Sequence, residues 1–106
     1  MTWVILFVAG ILEVVWAYAM KLSDGFSRPG PAAVTLAAMF LSFGLLAVAM
    51  KSLPLGTAYT VWTGIGAVGA FVVGIVVLGE AVTPMRVLAA LLIIGGLVLM
   101  KVSSPA

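Results

Sequence analysis

The sequence predicts an all-α integral membrane protein with four transmembrane helices per chain. Three observations carry this. Only 8% of the 106 residues are charged, where a soluble domain carries about 25%. Hydrophobic residues make up 65%, with a mean hydropathy of +1.39, more apolar surface than a soluble fold of this length can hide from water. The eight charges, Glu13, Lys21, Asp24, Arg28, Lys51, Glu80, Arg86 and Lys101, divide the chain into four apolar stretches. Each stretch is near the roughly 20 residues that a helix needs to cross about 30 Å of hydrocarbon. Lipid offers the backbone no hydrogen bonds, so such stretches must be helical.

The first helix is expected over about 2–20, broken only by Glu13. The connector 21–30 follows, a polar turn with three charges, two glycines and a proline. The second helix is expected over 31–50 and the third over 54–79, both free of charge, with Lys51, Ser52 and Leu53 as a tight turn between them. Thr83 followed by Pro84 reads as an N-cap with proline at the first helical position, opening a fourth helix over 84–100. The tail 101–106 is short and polar. Together these make a single four-helix membrane domain over 1–106. No internal repeat is apparent.

Two other readings of the apolar stretches are weaker. A cleaved signal peptide needs a basic segment before its apolar core, and here only Met1, Thr2 and Trp3 precede it. A soluble bundle needs a polar face on each helix, and the second and third stretches carry no charge at any angle. Other classes are excluded by composition. The chain has no Cys, His, Asn or Gln, so there is no disulfide framework, no thiolate or imidazole metal site and no Ser-His or Cys-His nucleophile. An enzyme is not expected, nor a cofactor or a metal. The net charge of +2 comes from five scattered cations, which form no nucleic-acid patch and read as membrane-edge anchors. With four spans, Lys51 and Lys101 share one side and Lys21, Arg28 and Arg86 the other. That near balance gives almost no orientation signal, which permits insertion both ways round.

Glu13 is the most informative residue. If the first helix enters lipid near Trp3, ten residues at 1.5 Å each place Glu13 about 15 Å deep. A carboxylate at that depth costs roughly 2.5–3.5 kcal/mol and by default marks function, and no Lys or Arg within the spans is deep enough to neutralise it. Gly10, Trp16 and Ala17 lie one turn away and share its face. Gly10 leaves room beside the carboxylate, and Trp16 offers a flat π face. Trp3 fits the interfacial aromatic belt better than Trp16 does.

The third helix carries a second cluster at helical spacing, Tyr59, Trp62, Thr63 and Gly66. Gly66, Ala70 and Gly74 continue it as a stripe of small residues that lets another helix approach, and Gly64 and Gly69 suggest a helix able to bend. The second helix contributes only Thr35 and Ser42 as mid-span polar groups, and Ser42 could simply bond back to the carbonyl of Ala38. In the fourth, Gly95 and Gly96 suggest a close helix contact.

One deep carboxylate, a few hydroxyls and two or three aromatic rings match a cation site. The carboxylate supplies charge, and the rings add cation–π attraction of about 0.5–2 kcal/mol. A carboxylate that holds either a proton or a cation is what proton-coupled antiport requires. Four helices hardly suffice to enclose such a site and gate it on both sides. Secondary transporters are commonly built from inverted repeats around a midplane site, and two oppositely inserted copies of this chain would supply one.

The runs Ala9-Gly10-Ile11-Leu12-Glu13-Val14-Val15-Trp16-Ala17 and Pro54-Leu55-Gly56-Thr57-Ala58-Tyr59-Thr60-Val61-Trp62-Thr63-Gly64-Ile65-Gly66, with the length and the four spans, resemble the small multidrug resistance transporters. The resemblance covers essentially the whole chain. It implies an antiparallel, dual-topology homodimer in the plasma (inner) membrane that exchanges protons for cations at a pair of glutamates, one Glu13 per subunit. The combination of Gly10, Trp16 and Trp62-Thr63-Gly64 resembles the family's guanidinium exporter subtype, whose site residues match Gly10, Glu13, Trp16, Ser42, Tyr59 and Trp62. Lys101 fits the subtype's basic end to the fourth helix. Thr60 departs from it, since alanine is common there. The expected function is therefore proton-coupled export of guanidinium and small guanidinyl cations. A broader quaternary-ammonium exporter, a non-transporting membrane subunit and a passive channel are the alternatives.

Overall fold

The computed structural model describes residues 1–103; the last three residues of the tail, 104–106, lie outside the described residues. Four helices form: α1 (Thr2–Leu22), α2 (Pro29–Ala49), α3 (Leu55–Val76) and α4 (Pro84–Ser103). All four are long and apolar enough to cross a membrane, and no strand occurs among the described residues.

α1 outruns its expected end at 20 by two residues and stops at Ser23. That hydroxyl donates to the Met20 carbonyl at 2.6 Å and accepts the Phe26 amide at 3.0 Å. The chain then reverses through three residues with left-handed backbone, Asp24 (φ 50°), Gly25 (φ 70°) and Phe26 (φ 67°). Pro29 occupies the first turn of α2, where its missing N–H costs nothing; α2 therefore opens two residues before 31. Pro54 serves as the N-cap of α3, and Leu53 beside it is buried.

α3 was expected to reach 79 but ends at Val76. Nothing in the side chains of Val77 and Leu78 breaks a helix. The backbone does it, because Gly79 adopts φ 70°, the left-handed conformation that ends helices. The Leu78 amide reaches back to the Val73 carbonyl, and the Glu80 amide bonds the Gly74 carbonyl at 2.9 Å. Thr83 caps α4, its Oγ1 accepting the Arg86 amide at 3.2 Å. α4 runs past 100 to Ser103.

The helices lie side by side in the order α2, α1, α3, α4, with α2 and α3 meeting only briefly. The Cα atoms span 43 × 35 × 17 Å, barely more than one helix deep. Packing follows side-chain size, as expected where lipid competes equally for apolar groups and only close approach separates a helix neighbour from a lipid tail. The buried face of α2 is Thr35, Ala38, Ser42, Leu46 and Ala49, a helical stripe of mostly small residues against α1. Leu6, Ala9, Leu46, Ala49, Leu53, Ala58, Val61 and Trp62 form the apolar core.

α3 runs unbroken, and two of its glycines are contact points. Gly64 receives Leu97 of α4, and Gly69 receives Val14 of α1. Gly95 and Gly96, expected to mark a close helix contact, meet nothing within 4 Å among the described residues. The reason is that α4 touches α3 along a different face and buries no residue of its own.

Candidate functional site

Glu13 sits in the middle of α1 and points at α3. Its side chain rests on Gly66, where any β-carbon would overlap the carboxylate. Oε1 is out of reach of solvent and accepts no hydrogen bond from the described residues. An acceptor left unmade in this way normally costs about 1–3 kcal/mol. The arrangement holds a polar group ready for a donor that the described residues do not supply.

Three helices meet beside it through one hydroxyl. Trp62 Nε1 of α3 donates to Ser42 Oγ of α2 at 3.0 Å, and Ser42 Oγ donates to the Ala9 carbonyl of α1 at 2.7 Å. Ser42 therefore does not bond back to Ala38, as its sequence position allowed. Its acceptor lies on another helix, one turn from Glu13. Trp62 is buried as a result, and its indole N–H is satisfied without touching the carboxylate.

The rings form a continuous array. Trp16 meets Phe43 edge-on at 6.4 Å between centroids, Phe43 meets Trp62 at 5.8 Å, and Trp62 meets Tyr59 at 5.7 Å. These separations fall within the favourable range for aromatic pairs. Phe43 is the member that sequence reasoning missed. It carries no polar atom, and its only signal is adjacency to Ser42. The indole N–H of Trp16 is buried and has no acceptor among the described residues. An unmet donor on Trp16 and an unmet acceptor on Glu13 thus stand one helical turn apart.

The remaining candidates divide. Gly10 is buried, but the room it leaves is filled by Ile65 of α3, whose Cγ2 and Cβ would lie 2.6 and 2.7 Å from an added β-carbon. Gly10 is therefore a helix-contact residue within the chain, not open space beside the carboxylate. Thr60 and Thr63 do not join the Trp62 network. With Tyr59, Gly64 and Ile93 they line a shallow cavity of about 320 Å³ between α3 and α4. Lys101, in the last turn of α4, has its Nζ 4.9 Å above the ring of Trp3 at the start of α1. That cation–π contact pairs the two residues away from the Trp62 network. Ala70 and Gly74 line a cavity of about 350 Å³ between α1 and α3, with Ala17 and Lys21 opposite.

Trp16, Ser42, Tyr59 and Trp62 are thus linked through ring contacts and one hydrogen bond, and Glu13 lies one helical turn from Trp16. Against known proteins, residues 1–94 match the family model described as Small Multidrug Resistance protein. A guanidinium exporter of Escherichia coli (strain K12) is 57% identical over 104 residues, covering 98% of this chain and 99% of the relative. Guanidinium exporters of Salmonella typhimurium (strain LT2) and Citrobacter freundii are 53% and 51% identical over the same shares. With four membrane-spanning helices and a family match across nearly all of its length, this chain is a multi-pass integral membrane protein that belongs to the Small Multidrug Resistance family.

Proposed function

We propose that the chain exports guanidinium and small guanidinyl cations in exchange for protons, by alternating access around two Glu13 side chains in an antiparallel homodimer of the inner membrane. The observation that carries this is Glu13 itself, a carboxylate at mid-span with a buried oxygen and no donor among the described residues. Guanidinium is planar and permanently charged, forks onto carboxylates and stacks on aromatic faces. A carboxylate one helical turn from Trp16, whose ring continues through Phe43 to Trp62, answers each of those properties, and the relatives' shared name points to the same ion. A second, inverted copy would supply the other wall and the other carboxylate. Protons and cation would then compete for the same oxygens, so loading one requires releasing the other.

Tetraalkylammonium ions cannot donate hydrogen bonds to Glu13. Losing two charge-assisted bonds at roughly 1.5–3 kcal/mol each corresponds to at least about a hundredfold in affinity. The test is uptake by purified protein in liposomes under an imposed pH gradient, comparing guanidinium with tetrapropylammonium. Gradient-driven guanidinium uptake with little ammonium uptake is the expected result. A preference for the ammonium ion would overturn the guanidinium reading in favour of a broader multidrug exporter. Flux with no dependence on the proton gradient would overturn antiport.

A further inference from the structure

Away from Glu13, one of the chain's two arginines, Arg86, sits in surroundings that make a small recognition site for its guanidinium. Arg86, in the first turn of α4, uses each of the three modes by which proteins hold guanidinium. Its Nη2 lies 3.9 Å from Glu80 Oε1. Its Nη1 donates to the Ala81 carbonyl at 2.6 Å. Its Cζ lies 5.2 Å above the centroid of the Phe71 ring.

The cradle is built by the backbone. Gly79 turns the chain back onto α3, and the Glu80 amide is bonded to the Gly74 carbonyl. The Glu80 carboxylate itself lies against Gly74, where a β-carbon would overlap it. Thr83 fixes the start of α4 from which Arg86 projects. The occupant is held loosely, however. The side chains of Arg86 and Glu80 are 42% and 44% exposed, and ion pairs that open to water contribute little.

The position matters as much as the chemistry. Glu80 and Arg86 line one end of the 350 Å³ cavity between α1 and α3, together with Lys21 and Phe71. Its wall on α1 extends to Val14, the residue after Glu13.

We propose that Glu80, Phe71 and the Ala81 carbonyl form a second cation site at the membrane edge, selective for planar guanidinium groups. Arg86 fills it at rest and a free guanidinium displaces Arg86 from it. The ligand class follows from the head group that the site already holds. Its use in export, as a capture point at the mouth of the cavity, rests on the function proposed above. Tetramethylammonium is excluded because it has no N–H to offer the Ala81 carbonyl or the Glu80 carboxylate. Arg86 acts as a tethered competitor, and a short tether supplies an effective concentration in roughly the millimolar range. Free guanidinium must exceed that to enter, so the site responds only when the cation is abundant.

The test is backbone amide NMR of the full-length protein in bicelles, in a Glu13→Gln background that removes the deep carboxylate. Guanidinium chloride is titrated against sodium chloride and tetramethylammonium chloride at equal ionic strength, following the amides of Gly74 and Glu80. With Arg86→Ala added, those amides should shift in a saturating manner with guanidinium alone. The midpoint should be about tenfold or more lower than with Arg86 present, because the tethered competitor is gone. Adding Glu80→Gln should abolish the saturation. If the alanine variant does not fold, Arg86→Met keeps the stem and loses the head group, with the same expectation. Linear drift common to all three salts, saturation that survives Glu80→Gln, or a midpoint indifferent to Arg86 would each overturn the proposal. None of these outcomes bears on wild-type liposome flux, so this site and the export function fail separately.

Discussion

The carboxylate of Glu13 lies directly on Gly66, so that position 66 has no space for a side chain of any size. Among the close contacts between α1 and α3, this one is made by a carboxylate, where Ile65 on Gly10 and Val14 on Gly69 are apolar. The small residue expected to admit another helix admits an acid.

Gly66→Ala should therefore displace Glu13. Overpacking a close contact costs about 1–3 kcal/mol, and Gly69→Ala, which would strike Val14, should cost a similar amount of stability. Both variants should still form helical, membrane-inserted protein. Only Gly66→Ala should lower gradient-driven guanidinium flux by at least about tenfold, the effect of roughly 1.4 kcal/mol. Gly56→Ala, with nothing within 4 Å, is the control. Equal flux in the Gly66 and Gly69 variants would show that the Glu13–Gly66 contact is mere packing.

Glu13→Gln should abolish proton-coupled flux without unfolding the protein, because Gln keeps the size and loses the charge. Glu13→Asp should keep some activity with a shifted pH profile. In the proposed dimer, deprotonation would create the cation site, so apparent guanidinium affinity should strengthen as pH rises and level off once both carboxylates are ionised. The two side chains should titrate as a pair, with values that belong to the dimer. Calorimetric affinity that stays constant across the physiological pH range would contradict competition at Glu13.

Ser42→Ala removes both the acceptor for Trp62 and the donor to Ala9. Hydrogen bonds between membrane helices average about 0.6 kcal/mol, with single cases near 1.7, so a loss of about 1 kcal/mol is expected. Trp62→Phe should cost less on top of Ser42→Ala than it does alone, since the orphaned indole N–H goes with it. Thermal denaturation of the four members of this cycle in one detergent measures the coupling, and strict additivity would mean that the two bonds are independent.

Reporters fused after Ala106 should be found on both sides of the membrane, as the near-even distribution of Lys and Arg implies. Two or three Lys added to one side should fix the orientation. A pair of oppositely fixed variants should then transport together and fail apart. Tails on one side only would require a different partner chain for antiparallel pairing.

Much of this was legible in the sequence. Four apolar stretches between charges gave the spans because lipid leaves the backbone no alternative to helix. Thr83 and Pro84 gave the start of α4 from cap chemistry. The third helix ended early because a backbone angle at Gly79 decided it, and glycine identity alone does not reveal its φ. Glu13, Trp16, Ser42 and Trp62 stood out because polar and aromatic groups are scarce in such a chain. What they touch was not legible. Ser42 has one helical neighbour by local rule and another by packing, and only the approach of α1 selects Ala9. Gly10 promised space and received Ile65, a distance along α3 that no periodicity encodes. Phe43 and Phe71 carried no signal, since a phenyl ring in an apolar helix is the expected background. Arg86 read as an anchor because Glu80 and Ala81 lie in a connector whose path the sequence leaves open.

A protein 17 Å deep in its thinnest direction also has a genetic consequence. In the homodimer proposed above, the second carboxylate and the opposite wall of the site come from a separate product of translation. A defective copy then spoils whichever sound copy it pairs with. Alleles at Glu13 should accordingly be dominant in a cell that carries both, where the same lesion in a self-enclosed transporter would be recessive.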